Sequence, residues 1–327
     1  MDLNLADYAL TARVSDADVL AFAEDRINLP HDKVVKYRER ADSLIERLTK
    51  YIDANPDYDL EAAFHSGSLA KGTAIQGGGD LDLALYVKAG SAPQDDKGLV
   101  DWLVERLHEV LPTFSDDQLK REDHCVKLLY ADHPSVDVVP VLYEGKPNWV
   151  GDLIRKRSGR RVMTSIPMHL QFIARREAQY PGYAQLVRIV KRWISLQKEL
   201  DNDFRFKSFM VELICAHLCD RGMEPAEITP ALQRVFGYIV SSRLDGTVIF
   251  EDYYKAAAVK VGAEPIRIYD PVNPENNITE KYTAQDRSKI LQAAQKAYDA
   301  IALVPFTPTK QEAVAAWQEI LGPTFRG

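Results

Sequence analysis

Apolar residues recur at helical spacing across residues 16 to 52, at Val34, Tyr37, Ala41, Leu44, Ile45, Leu48 and Ile52. Leu29-Pro30 interrupts the run, so the pattern predicts a short helix followed by a long one. Tyr58 to His65 then reads as a strand that ends in the small-residue loop Ser66-Gly67-Ser68. Asp80 to Val87 alternates charged or small residues with leucines and predicts a second strand. A helix over Leu99–Leu111 and two further strands, Cys125 to Tyr130 and Ser135 to Tyr143, complete this half. From about Thr164 the period changes, and helices are predicted over Pro167–Gln179, Tyr183–Leu200, Lys207–Asp220, Thr229–Val240, Ala284–Ile301 and Lys310–Ile320. Strands first and helices afterwards imply an α+β protein. Residues 1–163 would form a lobe with a mixed or antiparallel sheet and a long N-terminal brace helix, and residues 164–327 a helical lobe. An active site would occupy the cleft between them.

Composition agrees with two folded lobes. The 327 residues are 46% hydrophobic and 27% charged, with no low-complexity tract. Met1 to Arg13 is too polar for a signal peptide and no apolar run reaches the roughly 20 residues of a membrane span, so a cytoplasmic protein is expected. Three cysteines, Cys125, Cys215 and Cys219, are too few for a disulfide framework. His217 between Cys215 and Cys219 could complete a metal site, but the flanking apolar run favours packing of a buried helix. The net charge of -7 excludes a generally basic, nucleic-acid-binding surface. Arg155, Lys156, Arg157, Arg160 and Arg161 form the densest basic run, either a solvated loop or a local polyphosphate contact.

The chemistry concentrates in HSGSLAKGTAIQGGGDLDLALY, residues 65 to 86. On a strand, side chains two apart share a face, so Asp80 and Asp82 project together while Leu81 and Leu83 face a core. Two carboxylates so close are costly unless a cation joins them, and hard oxygen ligands suit magnesium. Asp137 lies in the otherwise apolar strand SVDVV, where an unpartnered carboxylate would be expensive to bury. If that strand neighbours the Asp80 strand, Asp80, Asp82 and Asp137 can hold two Mg2+ ions about 4 Å apart for in-line phosphoryl displacement. Asp137 is then the candidate general base. Gly67 and Ser68 suit the phosphate side, since glycine lets backbone approach closely and serine adds a hydroxyl and an N–H. A surface turn followed by two solvated aspartates would leave Asp137 and the spacing unexplained.

The G-S, G-T, D-x-D pattern with a later strand aspartate resembles the nucleotidyltransferase superfamily of poly(A) polymerases, oligoadenylate synthases and cyclic GMP-AMP synthase. The chain is more closely similar to the bacterial CD-NTases, the cyclic-oligonucleotide synthases of anti-phage defence. The resemblance covers roughly residues 30 to 320. VRIVKRW resembles the family helix whose lysine contacts the triphosphate, here Lys191, and FKSFMVEL the helix start whose Lys-Ser pair binds phosphates, here Lys207 and Ser208. A lysine supplies a mobile charge, and Ser208 at a helix start sits where the helix dipole favours anions. DPVNPENN resembles the Asp-Pro and Asn-Asn element of oligoadenylate synthases, although Asn276 and Asn277 could equally form turns.

NLP, SGSLAKGTA, VDVVPVLY, FRFKSFM and DPVNP are most similar to the clade called CdnC. That resemblance implies ATP as substrate and a cyclic trinucleotide such as cyclic tri-adenylate as product. It also implies a HORMA-domain partner, an AAA+ ATPase of the TRIP13 type and duplex DNA as an activator. The alternatives are a linear oligoadenylate synthase or other terminal nucleotidyltransferase and, outside enzymes, an inactive nucleotide-binding scaffold. Phe250, Tyr253 and Tyr254 are candidates for base stacking or for core packing.

Overall fold

Ser15 begins the first helix by a reciprocal cap: its hydroxyl accepts from Asp18 N at 3.3 Å, and Asp18 Oδ2 accepts from Ser15 N at 2.7 Å. This is α1, Asp16–Arg26. The computed structural model describes residues 13–55, 57–78, 81–122, 124–131, 134–154 and 160–327. The described residues fall into two units, one within 30–174 and the other made of 13–29 with 175–327.

In the first unit, Pro30 fixes the turn into α2, His31–Ala54, whose Ala41, Leu44 and Leu48 are buried. Next come β1 (Leu60–Ser66), the single turn α3 (Gly67–Ala70), β2 (Leu81–Lys88) and α4 (Asp96–Val110). They are followed by β3 (Leu119–Arg121), β4 (Val126–Leu128), β5 (Val136–Lys146), β6 (Val150–Ile154) and β7 (Arg161–Thr164). The sheet order is β1-β2-β5-β4-β3, with β6 joining the far half of the long β5 and β7 joining β6. Among the described strands of this sheet, β2 and β5 pair in parallel and the other pairs are antiparallel, so the sheet is mixed, as expected.

The alternation on β2 sorts its side chains. Leu81, Leu83, Leu85 and Val87 join Val126, Leu128, Val136 and Val138 in a core with the apolar faces of α2 and α4. Ala84 and Tyr86 point the other way, to Val141, Phe64 and Trp149. Tyr86 ties this second face down: its hydroxyl donates to Trp149 O at 2.9 Å and accepts from Ile166 N at 3.1 Å.

The remaining elements are α5 (Ile166–Gln179), α6 (Tyr183–Leu200), α7 (Ser208–Cys219), α8 (Ile228–Ser242), the short pair β8 (Thr247–Val248) and β9 (Arg267–Ile268), α9 (Ala284–Leu303) and α10 (Lys310–Leu321). The change of texture at Thr164 marks the start of α5, and the boundary drawn by contacts lies inside that helix, between 174 and 175. The helical unit is built around Trp193, fully buried and 4.9 Å from the Phe236 ring. α1 belongs here: Asp16 accepts from Thr229 N at 3.2 Å, and Asn28 beyond it donates to Gln185 at 2.8 Å.

Candidate active site

Strand register decides which polar residues meet. Asp82 on β2 is the direct partner of Asp137 on β5, Ser66 on β1 is the partner of Asp82, and Lys127 on β4 is the partner of Asp137. Neighbouring strands are about 4.8 Å apart. Ser66, Asp82, Asp137 and Lys127 therefore form one row across four strands, on the face turned away from the α2 and α4 core. Asp80 lies outside the described residues. Among the described residues no cluster of three His, Cys, Asp or Glu donors occurs.

The row is charged and partly shielded. Lys127 Nζ stands 3.5 Å from Asp137 Oδ1, and the two side chains are 22% and 24% exposed. Cys125, two residues before Lys127, has its thiol pushed up to about 12 by burial, reinforced by Asp137, Glu122 and Asp82. Burial is the main cause of that shift, and Lys127 opposes the carboxylates' share of it. Two carboxylates side by side, both hard oxygen donors, fit Mg2+ better than any softer ion.

Gly67 closes the row from the β1 side. It has φ +67°, and a Cβ added to it would lie 1.7 Å from Asp82 Oδ2. Backbone and carboxylate thus share a space that only glycine leaves open. The following turn is held by Gly72 N donating to Leu69 O at 3.1 Å and Thr73 N to Ser68 O at 2.9 Å, with Thr73 fully buried. At the base of the loop, His65 Nε2 lies 2.6 Å from Asp42 Oδ1.

In the helical unit, Lys191 and Glu212 make a buried ion pair with Nζ to Oε1 at 2.7 Å and exposures of 4% and 2%. Lys207 and Ser208 are exposed at the start of α7, where Lys207 N donates to Tyr282 Oη at 2.9 Å. The Asp270 to Asn277 element is a hydrogen-bonded turn. Asp270 accepts from Val272 N and from Asn276 Nδ2. Asn277 Oδ1 accepts from Ile268 N and Thr279 N, and its Nδ2 donates to Ile266 O.

Several open alternatives resolve toward packing. Phe250 is buried beneath Arg176, and the Tyr254 hydroxyl donates to Asp270 O at 2.7 Å, while Tyr253 lies 5.4 Å from Arg175. Cys215 and Cys219 are buried free thiols, and burial beside Arg221 lowers His217 to about 4, so it is a neutral core histidine. Of the basic run, Arg155, Lys156 and Arg157 lie outside the described residues. Arg161 pairs with Glu144 at 3.1 Å, as a surface strand residue does. An open cavity of about 730 Å³ in the helical unit, lined by Leu218, Arg234, Tyr238 and Tyr298 among others, includes none of the predicted site residues.

Lys127 was missed in the sequence. Its only signal was the alternation Cys125-Val126-Lys127, and its partner depends on which strand lies beside it.

Comparisons with known proteins address the whole chain. Residues 15–155 match the Second Messenger Oligonucleotide or Dinucleotide Synthetase domain. The cyclic AMP-AMP-AMP synthase of Escherichia coli strain MS 115-1 is 43% identical over 97% of this chain and 99% of its own length. The solved structure of the E. coli MS115-1 CdnC with ATP superposes with a TM-score of 0.93 at 42% identity, covering 96% of this chain and all of that one. The complex of that CdnC with HORMA-deltaN gives 0.91 at 42% identity over 95% and 98% of the two chains.

Proposed function

Because the chain belongs to the CdnC clade of the CD-NTases, the nucleotidyltransferases that make cyclic oligonucleotide second messengers, we propose that it converts ATP into cyclic AMP-AMP-AMP in anti-phage defence. The observation that carries the reading is Asp82 facing Asp137 across parallel strands with Gly67 packed against it, in a chain similar to the synthase end to end.

In each step a ribose hydroxyl of one nucleotide forms a bond to the α-phosphorus of the next. The bond to the bridging β-phosphate oxygen breaks, and pyrophosphate leaves. A last displacement of the same kind joins the two ends. Asp80, Asp82 and Asp137 would hold two Mg2+ ions, which when bound neutralise phosphate charge and acidify the attacking hydroxyl. Asp137, at the centre of the row, takes the hydroxyl proton. Gly67 and Ser68 bring backbone against the phosphates, with Lys207, Ser208 and Lys191 as the triphosphate grip. Lys191 would share its charge between Glu212 and the substrate.

A HORMA-domain partner follows from the relative solved with HORMA-deltaN. The clade resemblance adds a TRIP13-type AAA+ ATPase and duplex DNA. We place the enzyme in the cytoplasm; among the described residues no helix is long and apolar enough to cross a membrane.

Incubating purified protein with ATP and magnesium, with the HORMA partner and duplex DNA added in a second arm, tests the reading. A phosphatase-resistant product with the mass of cyclic tri-adenylate is expected. A phosphatase-sensitive ladder would replace the cyclase by a linear oligoadenylate synthase, and ATP binding without any product would leave a scaffold. Asp80→Asn combined with Asp82→Asn should abolish synthesis in a protein that still folds.

A further inference from the structure

The sheet itself delivers a cation to the carboxylate row. β4 and β5 run antiparallel with Lys127 opposite Asp137, so the lysine stem crosses one strand spacing and its ammonium arrives 3.5 Å from Oδ1. Both side chains are about three-quarters shielded, so water screens the pair less than it would on an open surface. Asp82 is the next residue in the row. Adjacent carboxylates repel, and a positive charge beside one of them relieves the repulsion.

We propose that Lys127 is a positioning residue, the resident counter-ion of the metal carboxylates, and that it makes divalent metal bind with the nucleotide rather than before it. The inference rests on the assignment of Asp82 and Asp137 as metal ligands. A divalent cation approaching the nucleotide-free site meets an Asp137 whose charge is already compensated and an ammonium of its own sign beside it. Lysine is a point charge on a flexible four-carbon stem, so it can leave Asp137 when another anion is at hand. A triphosphate brings such anions. The ammonium then has phosphate oxygens to turn to, and both carboxylates become available to metal. The site stays poor in metal until substrate arrives, although the carboxylates are in place throughout.

The test measures Mn2+ binding to the full-length protein without nucleotide, by the electron paramagnetic resonance signal of free Mn2+. Lys127→Met removes the charge and keeps the stem, and should tighten Mn2+ binding by about tenfold or more, each tenfold being about 1.4 kcal/mol. Lys127→Thr, a strand-forming neutral residue, serves the same purpose should the methionine variant not fold. Lys127→Arg retains the charge and should bind Mn2+ as the parent does. A neutral variant that binds Mn2+ no more tightly than the parent, or an arginine variant that binds as tightly as the neutral ones, overturns the proposal. Asp137→Asn separates it from the reading it rests on. If adding that substitution to Lys127→Met leaves the Mn2+ affinity of Lys127→Met unchanged, the metal-ligand assignment itself fails; if it weakens that affinity while the neutral Lys127 variants bind Mn2+ no more tightly than the parent, only the counter-ion role fails.

Discussion

The Asp82 carboxylate fills the space that a side chain at Gly67 would need, with the nearest oxygen 1.7 Å from the position of the missing Cβ. Gly67→Ala therefore has to move the carboxylate or the loop, and it also places alanine at φ +67°, which costs about 1–2 kcal/mol. We expect synthesis to fall by about 100-fold, the effect of an ångström-scale displacement of a reacting group. Product formation alongside a thermal melt checks this; full activity would show that the close approach is not needed.

Asp82→Asn should separate catalysis from stability. Asparagine removes one of two adjacent like charges, so without metal the variant should melt at or above the parent temperature. Turnover should drop by about 10³-fold, at the upper end of what one preorganised electrostatic group supplies. With nucleotide present, magnesium should raise the parent's melting temperature and leave the variant's nearly unchanged, because only a ligand bound to the folded state stabilises it. Removing metal with EDTA should abolish the difference.

The Lys191–Glu212 pair lends itself to a double-mutant cycle. Lys191→Met or Glu212→Met alone leaves an unpaired buried charge and should cost about 3–5 kcal/mol, whereas Lys191→Met with Glu212→Met should recover most of that. The recovered protein should still show a KM for ATP raised about tenfold, the loss of one charge-assisted hydrogen bond to phosphate. A normal KM in the folded double variant would assign Lys191 to the core alone.

His217 gives the helical unit an acid-sensitive point. Its pKa falls from 6.5 to about 4 through burial and Arg221, so the unfolded chain binds a proton more readily than the folded one between those values. The contribution of the neutral ring is complete above about 6.5 and is lost as pH falls toward 4. Melting temperature should decline across that window, and His217→Gln should flatten part of the decline. An identical pH profile in the variant would exclude His217 as a source.

Asn277 satisfies three backbone groups of the β9 region and the Thr279 hydroxyl from a buried position. Asn277→Ala should destabilise the protein by about 1–3 kcal/mol, the cost of leaving such groups unpaired. Its ATP affinity at low temperature should equal that of the parent; a selective loss of affinity would restore a direct role in nucleotide binding.

The sequence by itself determined the kind of chemistry and most of the helices. Asp82 is legible because a strand's period of two sets it on the face opposite Leu81 and Leu83, and Asp137 is legible because a carboxylate stands out in an apolar strand. Helices such as Tyr183–Leu200 follow from a local period that needs no partner. Tertiary structure alone decided what stands beside what. That Asp82 faces Asp137, that Lys127 reaches Asp137, and that Gly67 must yield its side-chain space to Asp82 all depend on strand order and register. So does the fate of residues whose type is ambiguous. Lys191 in an amphipathic helix could have faced water, but it packs against Glu212, and Asn277 in a turn-rich stretch holds β9 in place. Local periodicity reports which face a residue takes, whereas the charge it meets there is set by segments distant in the chain.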